Sequence, residues 1–308
     1  MPAIYVKLVA SMIIWGGTWV SGRIVAGAME PFSAAFLRFL TASVFLFLMT
    51  MRVDKRPPIP RREHMLHALL LGLTGVFAYN AFFFSGLRSV PAGKAALIIA
   101  STPAVMAVFS GLFLKERLCR WHAVGIPLSL SGVFVIISRG DPLALLEGGL
   151  GHGELYIFGC VAAWSAYSLL GKRAMAAMSP LTAVTWSCII GCLLLLPPAL
   201  AEGLAHTVWS VSPVVWGNLL FLGVMATGLS FAWYYEGIRA IGASRAGVFI
   251  NLVPLAAIGL GVLVLGESVT WTLAAGGAMV IGGVWLTNRR PKPVRTSAGA
   301  AQPERTAR

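Results

Sequence analysis

Long apolar runs separated by short polar stretches dominate the chain, and the length of those runs is its first structural signal. Crossing the hydrocarbon of a bilayer takes roughly 20 mostly apolar residues in a helix. Uncharged runs at Ala68–Leu87, Ala95–Leu114, Pro180–Ala201, Val208–Tyr235, Ala246–Gly266 and Ser268–Asn288 meet that length. Leu8–Gly22, Trp121–Ser138 and Leu155–Gly171 are shorter, and Ala34–Met51 qualifies with Arg38 inside it. The pattern predicts an all-α membrane protein with ten transmembrane helices joined by short loops. The first run is expected to be kept as a span rather than removed as a signal peptide. Trp15 and Trp19 interrupt its apolar region, and no small-residue cleavage site follows.

Two of the runs share an unusual entry, "GLRSVPAGKAALIIASTP" from Gly86 and "GIRAIGASRAGVFINLVP" from Gly237. A shift of 151 positions brings Gly86 onto Gly237, Arg88 onto Arg239, Ala92 onto Ala243, Lys94 onto Arg245 and Pro103 onto Pro254. The same shift carries Leu114, Glu116, Gly125 and Gly132 onto Leu265, Glu267, Gly276 and Gly283. Earlier in the chain a shift of 149 aligns Trp15 with Trp164, Gly22 with Gly171, Met29 with Met178 and Pro31 with Pro180. The series predicts two related five-helix repeats, residues 1–144 and 145–288, followed by a basic tail, 289–308. Because five is odd, the second repeat enters the membrane from the opposite face, so the fold is expected to be two inverted repeats.

Charge sets the orientation. The chain is 57% hydrophobic and 11% charged, with 24 Lys and Arg against 11 Asp and Glu. That charged fraction is well below the ~25% usual for soluble domains. A net charge of +13 in a soluble protein would suggest nucleic acid, but here the cations sit between spans. One side collects Lys7, Arg52, Lys55, Arg56, Arg61, Arg62, Lys115, Arg117, Arg120, Lys172, Arg173, Arg239, Arg245 and the tail; the other keeps Arg23, Arg38, Arg88, Lys94 and Arg139 and most of the loop acids, Glu30, Asp141, Glu147, Glu154, Glu202 and Glu267. This is the positive-inside bias and predicts both termini in the cytoplasm. The tail, with Pro291 and Pro293, reads as disordered. Cys119, Cys160, Cys188 and Cys192 have neither disulfide nor zinc spacing and read as small buried hydrophobes.

The paired halves, "FSAAFLRF" in the second span and a G-[LI]-R…A…P…L-x-E pattern in each half resemble the EamA family of the drug/metabolite transporter superfamily. The resemblance covers about residues 4–288. It implies alternating-access transport, with amino acids and related small metabolites as exported substrates, across a bacterial inner membrane. Drug or nucleotide-sugar transport within that superfamily is the alternative, and an intramembrane enzyme a more distant one. No phosphate-binding glycine motif, metal cluster or catalytic triad spacing is visible, so no cofactor is expected. The expected partners are a small-molecule substrate and the lipid bilayer. Oligomeric state stays open, although the ladder Ala274, Ala278, Gly282 could support a close helix contact.

Candidate site residues follow from placement. Pro103 and Pro254 fall inside apolar runs, where each removes an amide donor and frees the carbonyls of Ile99 and Ile250. They are expected to kink spans that line a cavity and bend as it opens, with Ser101, Thr102 and Asn251 helping to satisfy the backbone. Trp15 with Trp19, and Trp164 with Tyr167, share helix faces near mid-span, as do Tyr79 and Phe83 beside Asn80. Trp186 and Tyr234 extend this set, which favours a cavity for apolar or aromatic side chains, while core packing accounts equally well for any single ring. Arg38, about two turns inside the second span, is either a carboxylate-binding group or a snorkelling cation. It aligns with Ser187, so its contact would be one-sided. Arg88 with Lys94, and Arg239 with Arg245, are expected either to contact the opposing half in the state closed on their side or to anchor headgroups. Glu116 and Glu267 are expected at helix ends facing water, and Glu236 beside Arg239 or Arg245. The first, third, fourth, sixth, eighth and ninth spans would line the path.

Overall fold

The computed structural model describes residues 2–54, 64–113, 120–141, 150–174, 179–241, 246–247 and 249–287, and regular structure among them is helical throughout. The helices are α1 (Pro2–Ala26), α2 (Pro31–Asp54), α3 (Met65–Leu87), α4 (Ala92–Ala100 and Thr102–Phe113) and α5 (Arg120–Ser138). They continue with α6 (His152–Ala174), α7 (Pro180–Ala201), α8 (Pro213–Leu220 running on through Ser230–Ile241), α9 (Leu252–Leu265) and α10 (Trp271–Thr287). A short helix, Leu204–Ser210, joins α7 to α8. By length and composition α1, α2, α3, α5, α7 and α8 can cross a membrane; α4, α9 and α10 are apolar but shorter. Large apolar side chains such as Leu66, Leu193, Val214 and Leu263 stand exposed on these helices. Apolar surface on that scale suits lipid rather than water.

The proline runs break where expected. The α4 helix is interrupted at Ser101, two residues before Pro103, and α9 starts at Leu252, two residues before Pro254. The carbonyls are satisfied locally: Thr102 donates its hydroxyl to Ile99, and the Val253 amide donates to Ile250 at 3.0 Å. Neither break leaves those two carbonyls orphaned.

Two further irregularities carry no sequence signal. The middle of α3, Gly72–Ala78, and the middle of α8, Phe221–Leu229, are π-helical. Gly72 and Phe221 are 149 apart, and Ala78 and Leu229 are 151 apart, the offsets that align the two halves. A π turn disturbs the i→i−4 ladder, and side chains take up its carbonyls. Asn80 donates Nδ2 to Val76 at 2.8 Å, Thr227 donates its hydroxyl to Leu222 at 2.9 Å, and Trp15 donates its indole N–H to Ala226 at 3.0 Å.

Helices α5 and α10 lie antiparallel with their backbones in contact. A Cβ added to Gly125 would lie 2.6 Å from the Gly283 oxygen, and one added to Gly132 would lie 2.6 Å from the Gly276 oxygen. Gly125 also meets Thr287, and Gly276 meets Ile136. The 151-position shift converts each of these contacts into the other. The small-residue ladder expected at Ala274, Ala278 and Gly282 lies on a different face of α10. Ala274 and Ala278 are exposed, and the nearest atom to a Cβ on Gly282 is Leu128 Cδ2 at 3.9 Å. With a rotation of about 100° per residue, a two-position offset turns a side chain to another side of the helix. Helices α2 and α7 also run side by side, with the hydroxyls of Thr50 and Thr185 2.9 Å apart in the buried interface.

Candidate functional site

Helices α1, α3 and α6 bring together a continuous run of rings. Trp19 meets Phe83 with centroids 5.2 Å apart; Phe83 stacks on Tyr79 at 6.0 Å; Tyr79 meets Trp164 at 5.5 Å; Trp164 meets Tyr167 at 5.3 Å. The run can close up because Gly75, in the π segment of α3, leaves Tyr167 room that any Cβ there would occupy. Tyr79, Trp164 and Tyr167 are only partly buried, whereas Phe83 and Asn80 are closed off.

Arg38 reaches this wall from α2. Its guanidinium lies 5.2 Å from the Phe39 ring centre and 5.5 Å from that of Phe83, a cation–π arrangement. Nη1 donates to Asn80 Oδ1 at 3.0 Å, while Nε is buried with no hydrogen-bond partner among the described residues. Asn80 faces two ways, because its Nδ2 is committed to Val76 in the π segment. The sequence-predicted residues Trp19, Arg38, Tyr79, Asn80, Phe83, Trp164 and Tyr167 therefore form one cluster.

Trp15 and Tyr234 belong to a second cluster. Trp15 meets Phe231 at 5.2 Å and Tyr234 at 5.3 Å, next to its bond to Ala226. Phe231 was not singled out from the sequence; it stands where the 151-position shift puts Asn80, as Tyr234 stands for Phe83. Where one half presents Arg38 and Asn80, the other presents Ser187 and Phe231. Ser187 is buried and donates its hydroxyl to Val184 at 2.8 Å. Trp186 is half-buried on α7, and Asn251 is half-buried at the break before Pro254.

Carboxylates tie the two halves together at the end where α2 and α4 begin. Glu202, after α7, accepts from the amides of Phe32 and Ser33 at 3.2 and 2.7 Å and from the Ser33 hydroxyl at 3.0 Å. Glu267, after α9, accepts from the amides of Ala92 and Gly93 at 2.8 and 3.2 Å, and Arg23 lies 3.5 Å from it. Lys94 pairs with Glu154 of α6 at 2.7 Å, with both side chains largely buried. Each acid thus sits on helix N-terminal amides or on a cation, where a negative charge is favoured. Glu267 was expected to face water, and instead its side chain is only 15% exposed. The reason is that the first turn of α4 has amides that no helix carbonyl can reach.

The four cations expected at the two hairpins divide. Lys94 reaches the opposite half, but Arg88 stays within its own, pairing with Glu30 at 2.7 Å and donating to the Met29 carbonyl. Glu236 pairs not with Arg239 or Arg245 but with Lys7 of α1, 2.7 Å away. Helices α1 and α8 are in contact along this end, with Leu8 filling the space a Cβ on Gly237 would need, which brings Lys7 alongside. Arg245, Glu116 and the tail from residue 288 lie outside the described residues, as does the side chain of Arg239.

Comparison with known proteins agrees with this architecture. The model of the EamA-like transporter family matches residues 3–138 and again residues 151–289. The chain is 28% identical to the uncharacterized transporter YyaM of Bacillus subtilis, over 82% of this chain and 83% of that one. It is 27% identical to a protein of Streptantibioticus cattleyicolor named "Probable terminal-alkyne amino-acid exporter", over 92% of each chain. A Salmonella typhimurium protein named "Probable amino-acid metabolite efflux pump" is 26% identical over 89% of this chain and 91% of its own. A solved crystal structure shares the fold with a TM-score of 0.60 at 21% identity, covering 92% of this chain and 98% of its own. Two matches to one family model, each ending where a set of helices ends, account for nearly all of the described residues. The chain is a member of the EamA-like transporter family, a multi-pass membrane protein.

Proposed function

We propose that this protein is a secondary transporter that exports amino acids or related small metabolites across the bacterial inner membrane by alternating access. The observation that carries the reading is the position of Arg38 and Asn80, within a wall of rings drawn from both matched segments: α1, α2 and α3 from the first, α6 from the second. A pocket at a repeat interface, near the middle of the bilayer, is where secondary transporters commonly hold their substrate. The names of the Streptantibioticus and Salmonella relatives point to the same substrate class.

Ten spans arranged as two inverted five-helix repeats, with both termini in the cytoplasm, complete the proposal. It is supported by the paired proline breaks, the paired π segments and the α5–α10 contact, whose halves exchange under the same shift. Two copies related by a twofold axis in the membrane plane would produce such a contact. Cysteines placed singly at Val90 and Ile241 in a cysteine-free background should react with a membrane-impermeant maleimide from opposite faces of the bilayer. Reaction of both from one face would end the inversion.

Transport itself is tested with purified protein in liposomes. Uptake of labelled amino acids or their derivatives, reduced about tenfold or more by Trp164→Ala, is the expected result, since a buried aromatic contact contributes on the order of a kcal/mol or more. Absence of solute movement across a broad panel, with correctly folded protein, would overturn the reading.

A further inference from the structure

The chemistry around Arg38 narrows the substrate class. The proposal rests on the transporter reading above but makes a separate claim about which charge the pocket accepts. Among the described cations, Lys7, Arg23, Arg88 and Lys94 each face an acid at a helix end. Arg38 is partly buried among the helices, with no acid partner among the described residues. Among the described residues it meets one neutral amide oxygen and two ring faces, and Nε meets no acceptor. A guanidinium away from bulk water is costly unless an anion meets it.

Among the described residues no carboxylate pairs with Arg38, so a second cation there would meet only ring faces and neutral dipoles. Glu30, Glu154, Glu202, Glu236 and Glu267 already have partners, and Asp141 is exposed beyond the end of α5. Several of the backbone carbonyls on this side of the bundle already accept one hydrogen bond. Val76 accepts from Asn80, Ala226 from Trp15, Leu222 from Thr227, and the Tyr79 carbonyl from Cys160. An amino acid carries its ammonium within about 3 Å of its carboxylate. Seated on Arg38, it would bring a second cation close to an uncompensated first, and the repulsion would offset part of the carboxylate's attraction.

We infer that the pocket selects carboxylates with a net negative charge and an apolar or aromatic body, such as amino-acid derivatives whose amino group is acylated or absent, over free amino acids. The forked donors of Arg38 take the carboxylate, and Tyr79, Phe83, Trp164 and Tyr167 take the body. Ser187 stands at the equivalent position of the other half, so the site has one anion seat and not two.

Equilibrium binding to the full-length protein in detergent tests this without relying on transport. Isothermal titration would compare N-acetyl-L-phenylalanine, an anion, with L-phenylalanine, a zwitterion, and N-acetyl-L-phenylalaninamide, which carries no charge; all three share the ring. The expected order is the acetylated acid tightest, by about tenfold or more over either of the others, as a charge-assisted contact would give. Arg38→Gln should abolish that preference, with Arg38→Lys keeping part of it. Equal or tighter binding of L-phenylalanine by the wild-type protein overturns the inference, and that comparison does not depend on any variant folding. An unchanged preference in folded Arg38→Gln would overturn it too. Liposome assays separate the two claims: free amino acids carried as well as their acetylated forms would sink the charge preference alone, whereas binding in the expected order without movement would sink the transporter reading alone.

Discussion

Gly283→Val is expected to prevent stable folding. Any Cβ at Gly283 would fall within contact distance of the Ser129 amide and 2.6 Å from the Gly125 oxygen. Those neighbours are backbone, so no side chain can swing aside to relieve the overlap. Forcing extra methyl groups into a well-packed core costs about 1–3 kcal/mol, and more where the obstacle cannot move. The α5 and α10 helices would have to separate along their whole crossing, because Gly132 and Gly276 repeat the contact two turns away. Thermal unfolding followed by size-exclusion in detergent is the measurement, with Gly259→Val as the control, since nothing lies within 4 Å of a Cβ at that position. A melting temperature for Gly283→Val equal to that of the control would contradict the close helix contact.

The second large effect is expected from Glu267→Ala. This change removes the acceptor for the Ala92 and Gly93 amides and leaves Arg23, whose Nη1 is buried and already without a hydrogen-bond partner among the described residues. An unsatisfied buried polar group costs about 1–3 kcal/mol. The loss should be concentrated at the start of α4, where hydrogen exchange of the first-turn amides should accelerate by at least about tenfold, the equivalent of 1.4 kcal/mol. Glu267→Gln, which can still accept from one amide but no longer balances Arg23, should fall between the two. If α4 exchanges at the wild-type rate in Glu267→Ala, the carboxylate does not hold the two halves together at this end.

Much of this architecture is visible in the amino-acid order because bilayers impose it. Uninterrupted apolar runs are needed wherever a helix meets lipid, and Pro103 and Pro254 interrupt theirs with a known backbone consequence. The two ring clusters were partly legible for a similar reason: Trp15 and Trp164 fall near the middle of their helices, whereas Trp209 and Trp271 stand at helix ends and are far more exposed. The π segments were not legible, since Gly72–Ala78 and Phe221–Leu229 contain only residues that ordinary helices accept. Nor were the carboxylate contacts. Glu202 reaches Ser33 across 169 positions, and local periodicity has nothing to say about pairs so far apart. Unfilled amides at the start of α2 and α4 were the available clue, because such groups must find acceptors somewhere. The α5–α10 contact was half legible: Gly125 and Gly132 were aligned with Gly276 and Gly283, but their alignment as equivalents does not reveal that they touch.

That touching has a genetic implication under the proposed inversion. If a half-length ancestor once worked as a pair of separate chains, one codon for such a glycine would have served both sides of the seam, and a single base change would have damaged it twice. Joining the copies into one reading frame would let each side mutate alone, yet neither could enlarge without meeting the other's main chain.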